Sequence, residues 1–410
     1  MLQRLHIHGF KSLVDVETSL PSVAVLFGPN ASGKSNLLDA IQALSRLGTS
    51  RTVSDALSEP IRGYQAEAFS FPAGGLAGLL TQTSADFRME ATLRTGKDAF
   101  RYAIGVELAP SSGSLSVNDE YLAALSAKGT PKGNPSIELV DGQLRIRRKS
   151  KPAHPRTEPI GLNHTILSDP RLGGVEYRAI EKCRNELSGW RTYYLDPRVS
   201  MRRPASPADV NDIGVHGKDI APFLYRLRAE EPQAFASLVR TFRTLIPSVE
   251  DVSVDLDKRR GTIDIVVRQS GTDYSSRIVS EGSLRVLALC AIAVNPWGRS
   301  LVAFEEPENG VHPRRLELIA ELLLSVGVDQ GRQVIVTTHS PLFCEALLSH
   351  AERSPQEAGL FVVRRGATGT EVEGFESTGL FRDPDLRAAL ATSTEDGAFE
   401  RLMLRGFVDE

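Results

Sequence analysis

Between Val23 and Ile41 the chain reads VAVLFGPNASGKSNLLDAI, in which Gly28, Gly33, Lys34 and Ser35 satisfy the spacing G-x-x-x-x-G-K-[ST]. The chemistry of that spacing is phosphate binding. Glycines let a loop curl until successive backbone N–H groups face inward onto phosphate oxygens. The helix that follows adds the partial positive charge of its N-terminus. The expected nucleotide cradle is therefore Gly28, Pro29, Asn30, Ala31, Ser32, Gly33, Lys34, Ser35 and Asn36. Lys34 is expected to reach the β- and γ-phosphates and Ser35 to ligate Mg²⁺. A chance glycine turn would lack the apolar strand before the loop and the apolar helical face, Leu37, Leu38, Ile41 and Leu44, after it.

A second stretch, LVAFEEPENG from Leu301 to Gly310, runs four apolar residues into Glu305, Glu306 and Glu308. Adjacent carboxylates at the end of a buried strand repel each other and resist desolvation. A cation, a proton-transfer task or open solvent must account for them, and a phosphate loop elsewhere in the chain favours the first two. Successive strand residues point to opposite faces, so the pair cannot share one job. Glu305 is expected on Mg²⁺, directly or through water, as in a Walker B strand. Glu306 is expected to orient and deprotonate the water that attacks the γ-phosphate.

Two more stretches carry polar groups at element ends. RQVIVTTHSP is a buried strand ending in Thr337, Thr338 and His339. IVSEGSLRVLALCAIAV places Ser280, Glu281 and Gly282 at the start of a helix whose Leu284, Leu287 and Ala291 recur at helical spacing. Free N–H groups and a hydroxyl there can form a second anion site; taken alone, the same residues make an ordinary N-cap.

The elements that must position these groups belong to an α/β P-loop NTPase. With 410 residues, 41% hydrophobic and 24% charged, the chain can bury a large core and two lobes. A formal charge of −3 argues against a uniformly basic nucleic-acid coat. Cys183, Cys290 and Cys344 follow no metal or redox spacing, which fits a reduced, cytoplasmic setting. No signal-peptide core opens the chain, and the longest apolar run, Leu287 to Val294, is too short for a bilayer, so no membrane association is expected.

The order of phosphate loop, S-E-G-S-L-R, E-E-P-E and T-H-S-P resembles the ATPase head of the RecF/OLD/SMC branch of the ABC superfamily. The opening LQRLHIHGFKSLVDVETSL, with its F-K-S turn, adds to the likeness. The resemblance covers residues 1–45 and 275–345. It implies an ABC/SMC-type head with a mixed-sheet lobe and a helical lobe, using ATP and Mg²⁺. It also implies a head-to-tail homodimer with composite ATP sites, in which Ser280 and Gly282 of one chain close over the phosphates held by the other. By the same likeness His339 is a γ-phosphate-sensing switch residue, catalytic alongside Glu306 and Lys34. ENGVHP, residues 308–313, becomes the D-loop, Lys11 touches the nucleotide, and Gln82 is the Q-loop glutamine on the metal side.

The expected division is a head in two parts, 1–110 and 271–376, around a compact insert at 111–270, with a helical extension at 377–410. No sustained heptads occur, so the long coiled-coil arm of SMC proteins is not expected. Relatives of the OLD type often add a Toprim nuclease. Here the D-x-D at Asp383 and Asp385 reads as a helix cap with too little chain around it, and a nuclease would come from another polypeptide.

Two functions follow. One is an ATP-driven clamp on DNA, in repair or in defence against foreign DNA. The other is a regulatory ATPase that holds or activates a separate effector, a nuclease or toxin. Residues 141–203 carry fourteen Lys and Arg against seven Asp and Glu, densest in RIRRKSKPAHPR. That stretch reads either as a solvated loop or as a contact for nucleic acid or an acidic partner. Trp190, Tyr193 and Tyr194 lie only at its far end, so base stacking is not indicated. Neither the LSGGQ of a transporter ATPase nor the N-K-x-D of a GTPase occurs.

Overall fold

The computed structural model describes residues 1–298 and 300–375. Its organising element is β3 (Val23–Phe27), buried on both faces as an inner parallel strand must be. β3 lies in a six-stranded sheet ordered β10-β14-β15-β3-β16-β17. It is flanked in parallel by β15 (Gln333–Thr338) and β16 (Ala358–Arg365); β14 (Leu301–Glu305) and β10 (Trp190–Tyr193) continue the parallel run beyond β15, while β17 (Thr370–Gly374) returns antiparallel to β16.

Strand alternation sends each side of this sheet into a different core. Ala24, Leu26, Leu301, Ala303 and Ile335 join α1 (Lys34–Leu47) and a second, antiparallel sheet. That sheet is ordered β2-β1-β4-β5-β6-β7-β8-β9. Its strands are β1 (Leu2–Phe10), β2 (Leu13–Ser19), β4 (Ala85–Thr95), β5 (Asp98–Ala109), β6 (Ser114–Leu125), β7 (Ile137–Val140), β8 (Gln143–Ile146) and β9 (Arg156–Pro159). Short helices α2 (Val53–Ala56) and α3 (Gly75–Leu80), with α4 (Arg178–Ser188), lie on this side.

On the other side Val23, Val25, Phe27, Val302, Phe304, Val334 and Val336 meet the helical layer. It comprises α5 (Ile220–Glu230), α6 (Pro232–Leu245), α7 (Glu281–Val294), α8 (Leu316–Leu324) and α9 (Pro341–Arg353), with the small sheet β11 (Val249–Asp257), β12 (Thr262–Gln269) and β13 (Thr272–Ser275). α5 and α6 break at Glu231, because Pro232 has no N–H to continue a helix and is tolerated only in a first turn.

The expected boundary at 110/111 falls in the tight connection between β5 and β6, two neighbours of one sheet. The segment 111–270 divides between the two cores: β6 to β9 extend the antiparallel sheet, while α5, α6 and β11 to β13 complete the helical layer. Its compact-insert reading therefore gives way to one in which both cores need it. Asp383, Asp385 and the expected extension lie outside the described residues. The three cysteines are buried and form no disulfide. No helix among the described residues is long and apolar enough to cross a membrane.

Candidate nucleotide site

The phosphate loop leaves the C-terminal end of β3 and enters α1, at the edge where open parallel sheets hold ligands. Gly28 has φ 154° and Gly33 φ 107°, and a Cβ on either would overlap a neighbour: the Val363 carbonyl for Gly28, the Thr370 hydroxyl for Gly33. Ala31 also takes a left-handed φ, 62°, which curls the loop. α1 starts with no side-chain cap and no acidic residue in its first turn. By contrast, α7 and α9 are capped by Ser280 and Ser340. A helix start free of a side-chain cap and of a competing carboxylate suits an anionic ligand, although the Asn36 N–H bonds the Gly33 carbonyl at 3.0 Å. Lys34 is 5% exposed and its ammonium donates to the carbonyls of Gly28 and Pro29, 2.7 Å each. Burial lowers its pKa, against the opposing pull of Glu306, Glu305 and Glu308. The Ser32 hydroxyl is buried without a hydrogen-bond partner, Ser35 and Asn36 stand in the first turn of α1, and Asn30 is exposed.

Glu305 and Glu306 part at the end of β14. Glu305 stays on the α1 side, its Oε1 3.5 Å from Arg62 Nη1. Glu306 turns to the other side with φ 45°, a left-handed conformation rare for a non-glycine residue. The strand neighbour holds that conformation, since the Glu306 N–H donates to the Thr337 carbonyl at 3.0 Å. Asn309 Nδ2 donates to Glu306 Oε2 at 2.6 Å, and His339 Nδ1 lies 3.0 Å from Oε1. The two glutamates thus occupy separate environments, and Glu306 and His339 come together.

Ser280 and Gly282 form no hydrogen bond to the phosphate loop of their own chain. Ser280 Oγ accepts from the Ser283 N–H at 3.2 Å and remains exposed. Gly282 is buried instead, and a Cβ there would overlap the Gly310 carbonyl. Arg285, one turn into α7, reaches the Glu306 carbonyl at 3.5 Å. Glu308 is 6% exposed and accepts from the Thr338 hydroxyl; burial pushes its pKa up, and its Oε2 has no hydrogen-bond partner.

Several site residues carry no sequence motif. Asp39, fully buried on α1, accepts from Lys11 Nζ at 2.5 Å, Arg62 Nη2 at 2.9 Å and the Tyr194 hydroxyl at 2.7 Å. Lys11 has φ 50° and also donates to the Arg62 carbonyl at 2.8 Å, so its ammonium is engaged beside α1. Arg62 bridges Asp39 and Glu305. Gln82 lies just past α3, exposed, and no hydrogen bond joins it to the phosphate loop or the carboxylates. Asn309 alone had a local signal, three residues after Glu306 in a turn.

Six of the fourteen basic residues of the 141–203 stretch are paired with carboxylates within the fold. Arg145, Arg147, Arg156, Arg171, Lys182 and Arg198 pair with Asp141, Glu138, Glu158, Asp169, Asp98 and Glu281. Arg184 and Arg202 donate to backbone carbonyls. Lys149 and Lys151, between β8 and β9, remain exposed.

The donor set fits a nucleotide triphosphate with Mg²⁺. An uncapped helix start, a buried lysine and paired carboxylates at adjoining strand ends suit its charges. No group of three or more His, Cys, Asp or Glu among the described residues forms a metal cluster by itself, so Ser35 and Glu305 would hold the ion together with phosphate.

The fold is that of a P-loop ATPase head of the ABC/SMC type. The Smc head bound to the C-terminal winged-helix domain of ScpA aligns over 91% of this chain and 98% of that one, with TM-score 0.51 at 14% identity. The SMC head domain from Thermotoga maritima aligns over 92% and 99% at 16% identity, with TM-score 0.42. The chain belongs to the family described as "AAA domain, putative AbiEii toxin, Type IV TA system", matched across residues 23–345. It is also 48% identical over 56 residues to the DNA replication and repair protein RecF of Acaryochloris marina (strain MBIC 11017). That match spans 13% of this chain and 15% of RecF.

Proposed function

We propose that this chain is a Mg²⁺-dependent ATPase that works as a homodimer clamping on DNA. The observation that carries the hydrolytic part is Glu306, held by His339 and Asn309 at the end of β14, at the same sheet edge as the uncapped start of α1. Lys34 and the loop amides bind and orient the terminal phosphates. Glu306 takes a proton from water, and His339 fixes the carboxylate that does so. Bound Mg²⁺ supplies charge neutralisation at the phosphates. Ser280, exposed at the start of α7, contributes its helix terminus to the site of a second copy.

DNA as the cargo rests on the local likeness to a DNA repair protein and on the exposed Lys149 and Lys151. A second reading, control of a separate effector protein, is favoured by the toxin–antitoxin wording of the family description and by the internal pairing of six of the basic residues in the 141–203 stretch. Phosphate release, with and without duplex DNA across a salt series, tests both. A clamp on DNA binds more weakly as salt rises, with a log–log slope of about −0.9 per phosphate contacted. ATP hydrolysis without any salt-dependent DNA binding leaves the effector reading.

A further inference from the structure

Thr370 opens β17, far along the chain from the phosphate loop, yet it is 4% exposed and its hydroxyl lies against that loop. Thr370 Oγ1 donates to the Ser32 carbonyl at 3.0 Å. With that proton committed, Oγ1 accepts from Ser12 Oγ at 2.7 Å, and Ser12 in turn accepts from Asn36 Nδ2 at 2.7 Å. The Thr370 N–H also donates to the Ser12 carbonyl at 2.8 Å, fixing the turn that carries Ser12. These bonds form one directed chain from the first turn of α1, through the F-K-S turn and β17, back to the Ser32–Gly33 peptide.

The C=O and N–H of a trans peptide point in opposite directions. Holding the Ser32 carbonyl outward on Thr370 therefore holds the Gly33 N–H inward, toward the position of the phosphates. The absent Cβ of Gly33 has the same explanation, since a side chain there would occupy the place of the Thr370 hydroxyl. We infer that Thr370 is a positioning residue of the phosphate loop: its hydroxyl, last in the relay Asn36–Ser12–Thr370–Ser32, aims the Gly33 amide at the bound nucleotide. The inference rests on the ATPase reading above.

The test is the affinity of purified protein for ATP with Mg²⁺, read by a fluorescent analogue, beside steady-state turnover and melting temperature. Thr370→Val keeps the side-chain shape and removes the hydroxyl. It is expected to weaken nucleotide binding about tenfold and to raise KM with little change in kcat, because the amide contacts ground and transition states alike. Thr370→Ser restores the hydroxyl and is expected to bind within about threefold of wild type. Wild-type affinity in Thr370→Val, or equal weakening in Val and Ser, overturns the relay. If Thr370→Val does not fold, Thr370→Ala removes the same donor to the Ser32 carbonyl with less bulk, and unchanged affinity there overturns the relay. Lys34→Ala separates the two levels. Nucleotide binding by wild type but not by Lys34→Ala, with Thr370→Val at wild-type affinity, removes the relay alone. No binding by wild type removes the ATPase reading and the relay with it.

Discussion

His339 Nδ1 lies 3.0 Å from Glu306 Oε1, joining the ends of β15 and β14 on the helical side of the parallel sheet. The contact gives the left-handed Glu306 a second anchor beside Asn309. Glu306→Gln is expected to keep ATP affinity while hydrolysis falls by about 10²–10⁴-fold, the usual range for a lost general base. His339→Ala removes one anchor only and should lower turnover less. Single-turnover phosphate release alongside equilibrium nucleotide binding checks both. Normal hydrolysis in Glu306→Gln would move the base to another residue.

Glu305 belongs to the opposite face and shares Arg62 with Asp39. Glu305→Gln should raise the Mg²⁺ concentration needed for half-maximal turnover and leave the nucleotide-only affinity, measured in chelator, nearly unchanged. The same Mg²⁺ requirement in wild type and variant would take Glu305 off the metal.

Gly282 is a poor place to probe a composite site, because a larger residue presses on Gly310 of its own chain and disturbs the loop after Glu306. Ser280 is exposed and serves better. Ser280→Asp retains a good N-cap yet sets a negative charge where a partner's phosphates would sit. Ser280→Asp and Lys34→Ala are each expected to be inactive alone and to recover activity when co-expressed as mixed dimers. One site of each mixed dimer then carries both lesions and the other neither. No recovery in demonstrably mixed dimers would count against independently firing composite sites.

Glu120, fully buried on β6, accepts from the Ile166 N–H at 2.6 Å, the Leu167 N–H at 2.8 Å and the Tyr102 hydroxyl at 3.2 Å. Burial outweighs these donors and pushes its pKa from 4.5 to about 7. Because the folded value is the higher one, the native state keeps a proton that the unfolded chain releases. The group's contribution to stability is complete below pH 4.5 and is lost as pH rises through about 7. Glu120→Gln costs a backbone hydrogen bond at every pH, so slopes are compared rather than absolute values. From pH 5 to pH 8, wild type should lose about 2–3 kcal/mol relative to the variant in urea titrations. Parallel pH profiles would contradict the shift.

The phosphate loop and the two-faced glutamate pair were legible in the sequence because their signals are local: fixed spacing in one case, strand alternation in the other. The pairing of Asp39 with Arg62, Lys11 and Tyr194 was not. Arg62 comes from an irregular segment and Tyr194 from beyond a short strand, and only the packing of α1 against β10 brings them together. Thr370 meets Ser32 across 338 residues of chain, a separation no periodicity reports. The strands and helices of 111–270 look self-contained in sequence, but the buried residues of β6 to β8 join one core of the head and those of α5, α6, β11 and β12 the other.

The alternation along β14 has a mechanical consequence. Glu305 is tied through Arg62 to Asp39 beside the antiparallel sheet, while Glu306 is fastened to His339 and Asn309 beside the helices. A slide of one layer past the other would carry one carboxylate and leave its neighbour, like two clutch plates mounted on one shaft. Glu306, already held at a left-handed φ, is where such a slip would be felt first. In the proposed ATPase, anything that grips the outer surfaces of the two layers would bear on the orientation of Glu306.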